Sequence, residues 1–536
     1  MSGCVYGDLA TAKQWLRRSV VPTKDGPSDT AVGGCPSADK TELTPLSTHI
    51  PLHTFIHLPA ARILRGASQS LEMSTSSHSP EFVLPQELID KVIDEADFQS
   101  LKTLGLVSKQ WWPRTRKLLF KAIKLSETLD HPMDPVTRCK RLLELLEAKS
   151  EVCKLPRTLL IRSSTYDDEE EDLGWLQVCS DDVIKILEML QNVSVVVLRG
   201  GEMELSFSHL PLPLRAALHS FISRRNVIEL SLFTVDCIEM TPLVQHRSLR
   251  KLSLAFSRPP PTELGACFPL NVARKRRPTT KAASLSSSEN SAPLKNFLRQ
   301  LDISGAGHAL LLLVAASQDP QATLDLTQIK KLSVGTMNFG STMSQVWPYF
   351  LRTFCQNVSQ YSVTIGPARP EIEELQHGVL SVDPSIFSLA QLPNLKRLHV
   401  EVPQYFLRVP GLSLIPYLME ALVALSSSRE PVPLRVLEIV LNFDSFDAES
   451  KPEDVTQTLT DFSKWQQIWG RLDEILSNRQ VFSQFLTMVV RMGLNRRCTF
   501  TQSAEELDEL KNAMHSYMPN LVEQSKVKVV FRVPVQ

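Results

Sequence analysis

Apolar residues along this chain follow two rhythms. From Leu84 to Leu125 they recur at three- and four-residue steps, the period of an amphipathic helix. Leu88, Ile89, Val92 and Ile93 make one stripe, and Leu101, Leu104 and Val107 a second. Trp111, Trp112, Leu118 and Phe120 make a third, with Arg114, Arg116 and Lys117 on its wet side. Pro85 stands where a first helical turn tolerates a missing N–H, and Glu87 and Asp90 put negative charge near that positive helix end. Three helices this short cannot enclose all of these groups, so part of the apolar surface is expected to meet another molecule. Pro135–Lys149 adds an amphipathic helix with Leu142, Leu143, Leu145 and Leu146.

The second rhythm is that of short strands. Apolar runs bounded by polar stretches predict strands over Thr158–Ile161, Val193–Leu198, Val227–Leu232, Leu249–Leu254 and Phe297–Ile303. The series continues over Ile329–Val334, Ser359–Ile365, Leu395–Val402, Leu434–Leu441 and Val527–Val533. Helical stretches fall between them, at Asp182–Gln191, Pro213–Arg224, Tyr349–Gln356 and Leu412–Ser426. Single strands alternating with helices predict an α/β fold with parallel strands and outer helices. Leu249, Leu252 and Leu254 share an L-x-x-L-x-L-like spacing with Leu395, Leu398 and Val400, and with Leu434, Leu437 and Ile439. Only Leu230 and Leu252 stand at a regular repeat interval. Leu252 and Leu332 bracket an insertion, and the step from Leu398 to Leu437 is long. The expected architecture is therefore a curved, irregular solenoid, with one open α/β sheet as the competing one. Towards the end, Phe462, Trp465, Trp469, Leu472 and Leu476 form a helical core stripe that Asp461 is placed to cap. A helix over Ala504–Met514 and a strand over Lys526–Pro534 close the chain.

The run Leu84-Pro85-x-Glu87-Leu88-Ile89, followed by Leu101, Leu104, Val107-Ser108-Lys109 and Trp111, resembles the F-box. Its version here, VSKQWWPRTRKLLFKAIKL, is similar to the F-box-like module of fungal proteins. The chain departs from the pattern at Ala96, where a larger apolar residue is usual, and at Ser108, where cysteine is common. The strand spacing resembles that of leucine-rich repeats, which many F-box proteins carry after the F-box. The resemblance implies a substrate-recognition subunit of an SCF-type cullin–RING ubiquitin ligase. Leu84, Pro85, Leu88, Ile89, Leu104, Val107 and Trp111 would then contact a small adaptor protein, and through it a cullin, while the repeat region holds an unknown protein substrate. Two alternatives stand beside it: an F-box-like interaction scaffold that does not assemble with a cullin, and a plain three-helix packing unit of a larger domain.

On this reading residues 1–80 are a disordered N-terminal segment, 81–125 the F-box-like domain and 126–257 the first part of the repeat-like region. Residues 258–293 are a disordered, basic, Ser/Pro-rich insertion, and 294–536 the second part with its C-terminal helices and strand. Tyr166–Asp172 is an acidic run, read as a solvated loop or a contact for a basic partner. Arg274, Lys275, Arg276 and Arg277 in the insertion read either as a nuclear-import cluster or as a solvated charge run, with Ser284 and Ser286–Ser288 nearby as candidate phosphorylation sites. Met73 opens a stretch that would serve as an alternative start.

Composition narrows the chemistry. Lys+Arg 58 balances Asp+Glu 58, so a polyanion-binding surface is not favoured and no nucleic-acid partner is expected. Nine cysteines, odd in number and without a C-x-x-C pair, argue against a disulfide framework and a zinc site. His49, His53 and His57 share a helical face only in principle, because Pro51 interrupts it. The most apolar run, Ala309–Ala316, is too short to span a bilayer, so no membrane partner is expected. There is no G-x-S-x-G, P-loop or H-E-x-x-H, and Gly305-Ala306-Gly307 lacks the third glycine of a dinucleotide fingerprint and reads as a turn into an apolar helix. The expectation is a non-catalytic receptor without cofactor or metal, in the cytoplasm, the nucleus or both.

Overall fold

The structure is a computed structural model. It describes residues 85–126, 134–163, 174–201, 204–257, 295–318, 322–335, 341–364, 384–403, 415–427, 431–443, 466–494, 504–524 and 527–532. Several of the sequence readings fall outside these residues: the N-terminal segment with its histidines and Met73, Leu84, the acidic run, the insertion with Arg274–Arg277, and Asp461.

Three helices come first: α1 (Gln86–Glu95), α2 (Phe98–Val107) and α3 (Trp112–Leu119). Asp97 starts α2 by accepting the Ser100 backbone N–H at 2.7 Å, and Pro113 sits in the first turn of α3. Twelve strands then build one sheet. They are β1 (Ala122–Ser126), β2 (Thr158–Arg162), β3 (Val195–Arg199), β4 (Glu229–Phe233), β5 (Lys251–Ala255) and β6 (Gln300–Ser304). The sheet continues through β7 (Lys331–Val334), β8 (Gln360–Thr364), β9 (Arg397–Pro403), β10 (Val436–Phe443), β11 (Thr487–Leu494) and β12 (Lys528–Arg532). Every pairing is parallel, and each strand pairs with the next in the chain. An order that never reverses has no switch point, which separates this sheet from the doubly wound kind.

The register explains why the strands stack. Ile123, Leu159, Val196, Leu230, Leu252, Leu301, Leu332, Tyr361, Leu398, Leu437, Met488 and Val529 align as one continuous ladder across the sheet. Two residues on, Leu125, Ile161, Leu198, Leu232, Leu254, Ile303, Val334, Val363, Val400, Ile439, Val490 and Phe531 form a second. Both ladders point to one face, because side chains alternate along a strand. From β1 to β11 they merge there into the core with the apolar sides of the helices, and Val529 of β12 packs against it. Those helices are α4 (Pro135–Ala148), α5 (Ser180–Met189), α6 (Leu212–Ile222), α7 (Gly307–Ser317), α8 (Ser341–Phe354), α9 (Ile415–Ser426), α10 (Gln466–Ser477) and α11 (Ala504–Tyr517). The apolar run expected to form a helix after Gly305 is α7, with Ala309 to Val314 all buried.

Asparagines tie consecutive units together. Asn192, Asn226, Asn357 and Asn394 each stand three residues before a strand and donate a side-chain N–H to a backbone carbonyl of the preceding unit, those of Lys154, Gln191, Thr327 and Gln356, at 2.5–2.9 Å. Asn296 does the same to Leu249, at 2.7 Å. The sequence placed ten of the strands and missed β1 and β11. Both share the phase of the others, as Phe120-x-x-Ile123-x-Leu125 and Phe485-x-x-Met488-x-Val490. The irregularity lies in the lengths between strands and not in the strands.

Candidate functional site

Two surfaces stand out. The first is the three-helix unit. Its small interior is Ile93, Leu101 and Thr115, and none of these joins the main core. Arg114 locks α1 to α3: its guanidinium reaches Asp90 Oδ2 at 2.6 Å and grips both carboxylate oxygens of Asp94, at 2.9 and 2.5 Å. The hydrogen bond from Arg114 holds the Asp94 carboxyl below the usual carboxylate range, and in turn raises the Arg114 guanidinium. Gln110 adds a hydrogen bond to Gln86 Oε1 at 3.2 Å.

Of the residues the F-box resemblance singles out, Leu84 lies outside the described residues. Pro85 precedes α1 and is exposed, Leu88 is 50% exposed, and Ile89, Leu104 and Trp111 are half-buried. Val107 ends α2, and its side chain is not among those described. Ala96 ends α1, half-buried. Three further large apolar side chains are in water on the same unit: Leu106 at 87%, Phe98 at 56% and Trp112 at 41%. The Trp112 ring lies against Gly105, where an added Cβ would come within 2.9 Å of it. The helical period grouped Trp112 with the core side, and it gave Arg114 to solvent. The Asp90–Arg114 and Asp94–Arg114 spacings carry no local signal, because the residues sit on different helices.

The second surface is the other face of the sheet, whose side chains do not belong to the core. The register brings Lys124, Leu160, Val197, Ser231, Ser253, Asp302, Ser333, Ser362, His399, Glu438, Val489 and Val530 into its middle row. One end is apolar, the centre is small and polar, and charge follows. Glu438 meets Arg491 at 2.9 Å and His399 at 3.3 Å, and the Thr364 hydroxyl donates to Glu401 at 3.0 Å.

At the centre, by the C-terminal ends of β4–β8, is a pocket of about 400 Å³ lined by Phe233, Ser253, Ala255, Phe256, Asp302, Ser304, Ser333, Gly335 and Thr364. The Ser253 hydroxyl donates to Asp302 Oδ2 at 2.8 Å, and Gln300 Nε2 lies 3.3–3.4 Å from both carboxylate oxygens. Among the described residues no cation pairs with Asp302. Thr234, Phe256 and Gly305, which directly follow β4, β5 and β6, have φ of 51°, 50° and 59°. A threonine and a phenylalanine in that left-handed region cost about 1–3 kcal/mol each. Gly305 admits the Phe256 ring, since a Cβ there would stand 2.4 Å from Phe256 Cδ1; Gly335 likewise leaves room for the Ser304 hydroxyl, 2.2 Å from where its Cβ would be.

Four of the described thiols are held away from the reactive thiolate form. Burial, with Cys179 and Asp182 beside it, pushes the Cys139 thiol up to about 12, and burial also raises Cys179, Cys237 and Cys355. Among the described residues no group of His, Cys, Asp or Glu side chains is arranged to hold a metal ion, and no helix is long and apolar enough to cross a membrane. Compared with known proteins, the chain matches no family model and no curated protein.

Proposed function

We propose that the chain is the substrate-recognition subunit of an SCF-type cullin–RING ubiquitin ligase, an F-box followed by an irregular leucine-rich-repeat-like solenoid. The observation that carries this reading is the three-helix unit itself. It holds its shape through the Arg114 clamp while leaving Leu88, Phe98, Leu106 and Trp112 in water. Apolar side chains of that size on so small a unit are the mark of an interaction site. Leu84, Pro85, Leu88, Ile89, Leu104, Val107 and Trp111 would form the adaptor contact. The strand order supports the rest, since parallel units that each pair only with their neighbours give the sheet a long face outside the core on which a protein substrate could be held. A receptor of this kind acts by raising the effective concentration of its substrate beside activated ubiquitin, and so requires no reactive group of its own.

The test is capture of the adaptor by the full chain. Wild type is expected to retain adaptor and cullin, and Pro85→Ala/Leu88→Ala to lose both while keeping its thermal midpoint, because both side chains are already exposed. A wild-type chain that captures no adaptor overturns the reading and leaves an F-box-like scaffold that does not assemble with a cullin.

A further inference from the structure

The pocket at the centre of the free sheet face differs from the rest of that face in three ways. It is concave, its carboxylate has no counter-charge among the described residues, and it has aromatic walls. Asp302 comes from the middle of β6 and is held in place by Ser253 from β5 and Gln300 from its own strand. Both donors are neutral, so they orient the carboxylate without cancelling its charge. Phe233 and Phe256 stand at the ends of β4 and β5, and Ser304 and Ser333 line the pocket from β6 and β7.

Phe256 is the informative residue. Its backbone is held at φ 50°, where a bulky side chain is costly, and Gly305 on the next strand leaves the space its ring fills. Even so, the residue is 39% exposed. A strained position that keeps an aromatic ring at the mouth of a pocket, and does not bury it in the core, points to a binding role and not to packing.

We infer that this pocket binds an arginine side chain presented by a protein partner. A planar guanidinium stacks on a phenyl face, offers five donors to a carboxylate and neighbouring hydroxyls, and sheds water more readily than an ammonium group. Asp302, Ser304 and Ser333 supply acceptors, and Phe233 and Phe256 supply the apolar walls. The inference rests on the reading of the free sheet face as the substrate-holding surface, and it assigns to that surface a class of anchor residue.

The experiment is saturation-transfer NMR on the full chain with three probes: N-acetyl-arginine methylamide and its lysine and citrulline counterparts. Transfer is expected to the arginine side chain, with the lysine and citrulline probes about tenfold weaker or undetectable. Asp302→Asn still accepts from Ser253 and is expected to weaken arginine binding about tenfold at an unchanged thermal midpoint. Phe256→Gly is expected to weaken it while raising the midpoint, because the strain is released. No transfer to the arginine probe, equal binding of citrulline or lysine, or unaltered binding in Asp302→Asn overturns the inference. Adaptor capture by the wild-type chain separates the two readings: retained capture with no arginine binding sinks the pocket alone, and arginine binding without adaptor capture sinks the ligase reading alone.

Discussion

Two side chains show how much of this chain is decided by residues that sequence pattern treats as solvent or spacer. The helical period assigns Arg114 to the wet side of its helix, yet it holds α1 to α3 through Asp90 and Asp94. The folded Asp94 carboxyl lies below its ordinary value of 3.8 because Arg114 donates to it. A depressed carboxylate stabilises the fold above the unfolded value, and that contribution disappears as the pH falls through the folded one. Lowering the pH below 3.8 is therefore expected to release α1 from α3. Backbone amide exchange in α1 should accelerate over that window in wild type, whereas in Arg114→Ala it should be fast already at pH 6 and show little further change. Equal exchange in both proteins at pH 6 would mean that Arg114 does not hold α1 to α3. His246 works the other way, as a buried neutral hub. Its Nε2 donates to the Ile222 carbonyl at 2.9 Å and its Nδ1 accepts the Ser248 and Leu249 N–H groups at 3.0 and 3.1 Å. Burial holds its pKa below the ordinary 6.5, so the unfolded chain takes up a proton that the folded chain refuses. Stability from this group is complete above 6.5 and declines as the pH drops below it. His246→Ala leaves the half-buried Ser248 N–H and the buried Leu249 N–H without their acceptor, at about 1–3 kcal/mol for the buried one. Thermal melts should show a lower midpoint at pH 8 for the variant, and a smaller loss between pH 7 and 5.5 than in wild type.

At the scale of elements, what the sequence revealed depended on whether the signal was local. The strand phase is local: an apolar residue, two spacers, an apolar residue, one spacer, an apolar residue. It placed β2 to β10 and β12. It also describes β1 and β11, but there competing patterns hid it. Phe120, Ile123 and Leu125 follow straight on from the third helical stripe, and the whole run reads as its continuation. The free face of the sheet was not legible at all. Ser253, Asp302 and Ser333 are the spacer positions of three separate runs, and only the register makes them neighbours. The same holds for Phe256 and Gly305, where the match between a ring and a missing Cβ exists only once two strand ends are side by side. The inter-unit asparagines were readable in principle. An asparagine followed by valine or leucine stands before β3, β4, β8 and β9 at one fixed offset, and it is a better repeat marker here than repeat length.

The architecture of the whole molecule makes a claim about its cooperativity. In a sheet whose strands pair in chain order, each unit is held by the one before and the one after, so stability approximates a sum of unit and interface contributions. Leu332 tests this. It is 1% exposed on β7, with Leu301 of β6 and Tyr361 of β8 as its ladder neighbours. Leu332→Ala removes packing to both sides and is expected to cost about 2–5 kcal/mol. In a quasi-one-dimensional array that cost weakens β6, β7 and β8 with α7 and α8, while amide protection at β2–β3 and in α1–α3 is retained. If the proposed function holds, the three-helix unit would then go on capturing an adaptor from a chain whose central pocket had lost its shape. Hydrogen exchange with peptide-level readout distinguishes the outcomes. Loss confined to the centre means that the three-helix unit and the central pocket are energetically separate. A uniform loss from α1 to β12 means the units melt as one, and a lesion anywhere in the sheet would then disable both surfaces together.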